Sequence, residues 1–352
     1  MRDALPAPPQ SATVCRMGKK ILVLGATGAM GQYLVPLLAG SGHQVTAVAL
    51  DQAADAPPNL RRLQGDALAD AAFRSQLLAE HWDGIVDFLI YPTRALDAAL
   101  PPVLAATDHY IYLSSYRIYA DEEHPVRESS PRLLDVSPDA ALRASDDYSI
   151  YKARGENLLR SLPRRNWTIV RPAITYSRMR YQLVTLEAPN TVGRAFAGKP
   201  VVLPVQAKNR QATMSWAGDV AKMLAGLLLR EETLGETYSV CTAEHHTWGE
   251  IADYYRDICG LEAVWVDKED FLSIVAGPSW RQGARWQLEY DRLFDRVMDN
   301  TKVLAATGLK QADLMPLHQG LENEIARCPR DVSWPVLEAM DTFLRNRRQA
   351  SA

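Results

Sequence analysis

Apolar and polar positions change period along this chain, and each change marks an element. Ile21-Leu22-Val23-Leu24 is an unbroken apolar run of strand length, and helical spacing follows it over 29–39. A second run covers 42–50, a third ends at Leu63-Gln64-Gly65-Asp66, and further strands are predicted over 84–91, 110–115 and 167–171. Helices are predicted among them over 71–79 and 147–161. Strands that are apolar on both faces and alternate with helices predict an α/β fold with a doubly wound parallel sheet, because parallel neighbours need crossover helices that cover both faces.

The period loosens after Arg171-Pro172. A helix is predicted near 190–197, then an apolar run Pro200-Val201-Val202-Leu203-Pro204, an amphipathic helix over 216–229 and a strand over 236–241. Thr247-Trp248-Gly249-Glu250 has the spacing of a capping box that opens another helix. A short helix is predicted to begin within 299–304, and a terminal one covers 334–348, its closing arginines complementing the helix dipole. The division expected is a sheet domain over 19–175, to which 212–242 returns, and a smaller C-terminal substrate-binding lobe from 176–211 and 243–335. Residues 336–352 make a closing helix and tail. Residues 1–18, rich in Pro, Ala and small polar residues, are expected to be a mobile tail, and Met17 offers a second start.

Composition narrows the class without naming a function. The 352 residues are 47% apolar and 23% charged, as in a globular protein able to bury a large core. Lys+Arg 39 against Asp+Glu 42 leaves a net charge of −3, which argues against a dedicated nucleic-acid binder. Cys15, Cys241, Cys259 and Cys328 show no CxxC pairing, so neither a zinc site nor a disulfide framework is indicated and a reducing, cytoplasmic setting is expected. No apolar run reaches membrane-span length, and the N-terminus lacks the core of a signal peptide.

Two constellations carry chemistry. Gly25-Ala26-Thr27-Gly28-Ala29-Met30-Gly31 directly follows the first strand and opens a helix. Gly25 suits a tight turn, Gly28 the approach of a pyrophosphate and Gly31 close helix–strand packing, while the helix N-terminus offers N–H groups to an anion. Thr27 and Met30, inside the loop, are counted with the glycines as cofactor contacts; a purely structural turn is the alternative. Ala49-Leu50-Asp51 ends the second strand with a carboxylate and no base, favouring NAD over NADP. Asp66 either reaches the adenine edge or caps its own loop.

The second constellation is Tyr148-Ser149-Ile150-Tyr151-Lys152 on a helix, with Ser114-Ser115 at a strand end. Tyr148 and Lys152 share a helix face, so an ammonium can lower the phenol's pKa and make tyrosinate a usable base, with Ser115 holding a substrate hydroxyl. Such a pair also arises by chance in helices; the order of glycine turn, strand-end serine and Tyr/Lys helix is what points to chemistry.

With these pieces in that order, the sequence resembles the extended short-chain dehydrogenases/reductases, the NAD-dependent epimerase/dehydratase family typified by UDP-glucose 4-epimerase. The matching segments are GATGAMG (25–31), LSSYRIYA (113–120), YSIYK (148–152), VRPAITY (170–176), SWAGDVA (215–221) and DNTKVLAATGL (299–309). The resemblance implies a Rossmann sheet that binds NAD, Gly25, Gly28 and Gly31 as its pyrophosphate loop, and Ser115, Tyr148 and Lys152 as the catalytic set. It implies as well that Lys152 bonds the nicotinamide ribose. Two departures stand out. Only 92–109 separates the fourth and fifth strands, with no asparagine, as in the branch that includes chloroplast stem-loop-binding proteins. Tyr116-Arg117 replaces the Asp-Glu pair of the 4,6-dehydratases, which argues against dehydration.

The activity this implies is NAD-dependent oxidation of a ring hydroxyl on a nucleotide-activated sugar through a transient ketone, ending in epimerisation. The alternatives are a simple NAD(P)-dependent dehydrogenase or ketoreductase, an RNA-binding protein on a dehydrogenase fold, and a regulator that binds NAD without turnover. Arg178, Arg180, Arg194, Arg210, Arg292 and Arg296 could meet a diphosphate; Arg210 and Arg292 lie near the family positions that do so. Each could equally be a solvated side chain. His245-His246 lacks a third ligand, His43 reads as a turn residue, and no metal, nucleic acid or membrane partner is expected; a homodimer stays open.

Overall fold

In the computed structural model, which describes residues 18–51, 57–277 and 281–350, one parallel sheet organises the chain. Its strands are β1 (Lys20–Leu24), β2 (Gln44–Ala49), β3 (Leu60–Gln64), β4 (Trp82–Asp87), β5 (Thr107–Leu113), β6 (Trp167–Val170) and β7 (Thr237–Tyr238), in the order β7-β6-β5-β4-β1-β2-β3. Leu24 pairs with Val48 on one side and Asp87 on the other. The crossovers leave β1 in opposite directions, so the loops after β1 and β4 part and open a crevice at the carboxyl ends of the strands.

The apolar run of β1 follows from its position. Ile21 and Val23 face a core built with α1 (Gly31–Gly40), while Leu22 and Leu24 face a second core on the other side. Helices α2 (Ala71–Leu78), α3 (Thr93–Ala105) and α4 (Tyr148–Ser161) cover that second face, and α5 (Ala217–Leu227) lies beside α1 on the first. Each fully buried Leu or Val contributes ~1.5–3 kcal/mol, which is why both faces must be covered.

A third core holds the smaller lobe. There Val201–Pro204 pairs in parallel with Ala263–Val266, and Ile174–Tyr176 with Met214–Trp216. The helix Trp248–Cys259 opens with a capping box: the Glu250 N–H donates to Thr247 Oγ1 at 3.1 Å, and Glu250 Oε2 accepts the Thr247 N–H at 2.7 Å.

Several elements differ from the sequence expectation. The strand expected over 84–91 stops at Asp87, whose carboxylate accepts the Leu89 N–H and the hydroxyls of Tyr91 and Tyr110, turning the chain out of the sheet. The strand over 236–241 shrinks to Thr237–Tyr238; the Ser239 N–H donates to Glu128 Oε1 at 2.7 Å instead. The short 92–109 segment keeps a helix of 13 residues, α3, despite Pro101 and Pro102, because Leu96, Ala99, Leu100, Val103 and Leu104 are buried along one side. The terminal helix is Glu338–Ala350, starting after Pro335, while Trp334 packs on Gly193. The tail expected over 1–18 lies outside the described residues except for Gly18.

Candidate active site

The glycine turn is tied to β2: the N–H groups of Gly25 and Ala26 both donate to the Val48 carbonyl, at 3.0 and 2.9 Å. Gly25 has φ +76°, a conformation that a side chain disfavours. At Gly31 a Cβ would stand 2.4 Å from the Ala26 carbonyl oxygen, so helix and loop meet only because that atom is missing. The first turn of α1 has no side-chain cap; the Gln32 N–H donates to the Gly28 carbonyl and the Tyr33 N–H to the Met30 carbonyl, each at 3.1 Å, so the helix grows directly out of the glycine loop with its positive dipole end at the loop. Gly25, Thr27, Gly28, Met30 and Gly31 line a cleft of about 610 Å³ that continues past the ends of β2, β3, β4 and β5.

Asp51 lies on this cleft at the end of β2 and accepts the Thr27 hydroxyl on Oδ2 at 3.0 Å. Asp66 lines it too, while its Oδ1 accepts the N–H groups of Leu68 and Ala69, each at 2.9 Å, and so caps its own loop. A helix N-terminus, a close-packed glycine turn and a carboxylate at the next strand end fit a dinucleotide: the loop suits its pyrophosphate and Asp51 an adenosine ribose.

Ser115, Tyr148 and Lys152 come together on the same side of the sheet. Ser115 lies two residues past β5 and caps a 3-10 turn over Tyr116–Ile118, its Oγ accepting the Arg117 N–H at 3.2 Å. Helix α4 begins at Tyr148 because Asp147 caps it, accepting the Ser149 N–H at 2.9 Å. Lys152 is buried beneath this turn and donates to the Leu113 carbonyl at 2.6 Å. Burial lowers its pKa from 10.5 to about 8, although Asp87 and Glu156 oppose the shift. Ser115 and Tyr148 line the cleft.

Burial pushes the Tyr148 phenol up, and the charges that oppose this are those of Arg117 and Arg180, with help from the Ser115 hydroxyl. The sequence expectation gave this role to Lys152. In the structure the lysine nitrogen stands 5.7 Å from the Tyr148 ring centroid and is engaged by Leu113, whereas the Arg117 guanidinium carbon is 5.2 Å from that centroid. Tyr151 meets the other side of Tyr148 edge-on, centroids 5.4 Å apart.

The two preferred arginines part company. Arg292 lines the cleft, but it is already engaged: Nε donates to the Val184 carbonyl at 2.6 Å, and Nη1 reaches the Tyr116 hydroxyl and Asp291. Arg210 lies away from the lining, half-exposed and paired with Asp295 at 3.0 Å. Arg180 does line the cleft, and among the described residues its guanidinium has no hydrogen-bond or ion-pair partner. Sequence reasoning named Arg180 among six candidate arginines but preferred Arg210 and Arg292, since nothing local separates Arg180 from Arg178, and it treated Arg117 only as the replacement for a dehydratase carboxylate.

A doubly wound sheet with a glycine turn after β1, Ser115 and Tyr148 on the same cleft and Lys152 buried beneath it, is the arrangement of an extended short-chain dehydrogenase/reductase. The family model described as NAD dependent epimerase/dehydratase family matches residues 21–241, and the chain belongs to that family. It is 26% identical over 253 residues to the chloroplast stem-loop binding protein of 41 kDa b from Arabidopsis thaliana, a match spanning 66% of this chain and 61% of that protein. Its fold is similar to UDP-N-acetylglucosamine 4-epimerase from Bacillus cereus, at 16% identity, 91% of this chain, 99% of the other and a TM-score of 0.64. A variant of UDP-glucuronic acid 4-epimerase from Bacillus cereus, solved with UDP-4-deoxy-4-fluoro-glucuronic acid and NAD, gives 16%, 87%, 98% and 0.63. No helix among the described residues is long and apolar enough to cross a membrane.

Proposed function

We propose that this protein is an NAD-dependent enzyme that oxidises a ring hydroxyl of a nucleotide-activated sugar to a transient ketone and reduces it again on the opposite face. The observation that carries this reading is the placement of Ser115, Tyr148 and the glycine loop on one cleft, with Lys152 directly beneath. The 4-epimerases of the same fold, one of them solved with NAD and a UDP-sugar, support it.

In this reading Gly25–Gly31 holds the cofactor pyrophosphate and Asp51 the adenosine ribose. NAD, when bound, supplies the hydride acceptor. Tyr148, as tyrosinate, takes the proton of the sugar hydroxyl; Ser115 orients that hydroxyl, and Lys152 holds positive charge below the phenol. Arg180, whose guanidinium has no hydrogen-bond or ion-pair partner among the described residues, suits an anionic group of the substrate.

The first test is to denature the purified protein and identify any released nucleotide. The second uses substrate deuterated at the oxidised carbon, with excess free NAD. Deuterium kept in the product means that one bound cofactor served both half-reactions. Deuterium in free NADH means a dehydrogenase and overturns the epimerase reading.

A second reading is binding of structured RNA, supported by the likeness to the stem-loop binding protein. A net charge of −3 opposes it. Filter binding across a salt series decides: tight binding at ordinary salt favours RNA, and affinity confined to low salt is generic.

A further inference from the structure

Arg117 stands two residues beyond the strand-end serine, and the 3-10 turn over Tyr116–Ile118 aims its side chain back across the face of Tyr148. The guanidinium is mostly buried, at 13% exposure, and it lines the cleft. Two carboxylates form ion pairs with it from either side: Asp147 lies 3.7 Å from Nη2, and Asp291 lies 3.4 Å from Nε. Among the described residues its Nε has no hydrogen-bond partner.

Asp291 pairs with more than this arginine. It is fully buried and already engages Arg292, Arg296 and the Tyr116 hydroxyl. One carboxylate is thus shared among three guanidinium groups, so the one held over the phenol keeps positive charge to act on it. We propose that Arg117 is the positioning residue that activates Tyr148: stacked on its ring between Asp147 and Asp291, it favours loss of the phenolic proton to water, leaving tyrosinate to accept the substrate's hydroxyl proton. This rests on the reading of Tyr148 as the proton acceptor and assigns to the residue after Tyr116 a role that Lys152 alone was expected to fill.

The other groups facing Tyr148 are accounted for. Arg180, from the segment after Ile174–Tyr176, adds positive charge, and Asp291 subtracts from it. Tyr151 and Lys152 approach from its own helix, and Tyr112 from β5. Arg117 leads the charges that favour tyrosinate and is flanked by the carboxylates that fix its position.

The test reads the phenol directly. Full-length protein isotope-labelled at tyrosine Cζ is titrated by NMR from neutral to alkaline pH, with the Tyr148 signal assigned by its loss in Tyr148→Phe. Arg117→Met should move the Tyr148 titration up by about 1 pH unit or more, a tenfold or greater loss of tyrosinate at fixed pH, and Arg117→Lys should recover part of it. If the methionine variant does not fold, Arg117→Gln removes the charge while keeping a polar side chain beside Asp147 and Asp291. A folded charge-free variant whose Tyr148 titrates with the wild type overturns the proposal. With a sugar nucleotide that turns over, the basic rise in kcat/KM should shift by the same interval while KM stays close to unchanged. If no such substrate turns over, the NMR titration still reads Arg117 acting on Tyr148, so failure of the proposed activity and failure of this inference are told apart.

Discussion

Arg171 holds Glu156 by two parallel hydrogen bonds, Nε to Oε1 at 2.8 Å and Nη2 to Oε2 at 2.7 Å, with both side chains out of solvent. The Ser114 hydroxyl donates to the same carboxylate at 2.6 Å, and Arg171 Nη1 reaches the Tyr119 hydroxyl and the Glu128 carbonyl. The end of β5, the middle of α4 and the exit from β6 are thereby joined at one buried carboxylate. Those are the elements that carry Ser115, Lys152 and the start of the smaller lobe.

Breaking this pair should destabilise the fold. Burial alone pushes Glu156 up, but the Arg171 charge and hydrogen bonds, with Arg160 and Ser114, outweigh it and bring its pKa from 4.5 down to about 2. The pair's stabilisation is therefore full above pH 4.5 and is lost as pH falls toward 2. Glu156→Gln leaves Arg171 buried and uncompensated, an expected loss of about 3–5 kcal/mol at neutral pH. Urea denaturation across pH should show the difference between wild type and variant shrinking through that acid window.

Lys152→Met should act in the opposite sense on stability. The folded state holds the lysine at about 8 against 10.5 when unfolded, so the unfolded chain binds more protons between these values and wild-type stability rises with pH there. At neutral pH the variant is expected to be the more stable by up to about 3 kcal/mol, less the lost hydrogen bond to Leu113, while turnover and cofactor affinity both fall. Urea midpoints at neutral and alkaline pH, with calorimetric NAD titration, measure the two effects; a less stable variant at neutral pH contradicts this account.

Tyr148→Phe removes one hydroxyl and keeps the ring against Tyr151. Turnover should fall by about 10²–10⁴-fold, the range of a lost acid/base group, with cofactor affinity close to unchanged. Steady-state kinetics beside calorimetry check this, and a variant that keeps most of its activity removes Tyr148 from the mechanism.

NAD should bind more tightly than NADP, since an added phosphate near the end of β2 meets Asp51. Asp51→Ala should narrow the gap. Equal or tighter NADP binding by the wild type would point instead to Arg62, which shares a neighbouring cavity with Thr27.

The features legible in the sequence are those set by neighbours a few residues apart. The two-sided burial of β1, the glycine turn, the Tyr148/Lys152 face and the Thr247 capping box all follow from local spacing, because strand alternation, helical pitch and cap geometry act over at most a turn or two. Tertiary structure decided which charge meets which. Tyr116 and Asp291 bond across 175 positions, Arg292 and Val184 across 108, and no local pattern reports contacts made by long flexible side chains from remote segments. That is why Arg210 turned to Asp295 and Arg292 was already engaged, while Arg180 lines the cleft with no guanidinium partner among the described residues. Spacing put Lys152 one helical turn from Tyr148; only the packing of α4 on β5 gave its ammonium the Leu113 carbonyl, and only the turn after β5 brought Arg117 to the same ring.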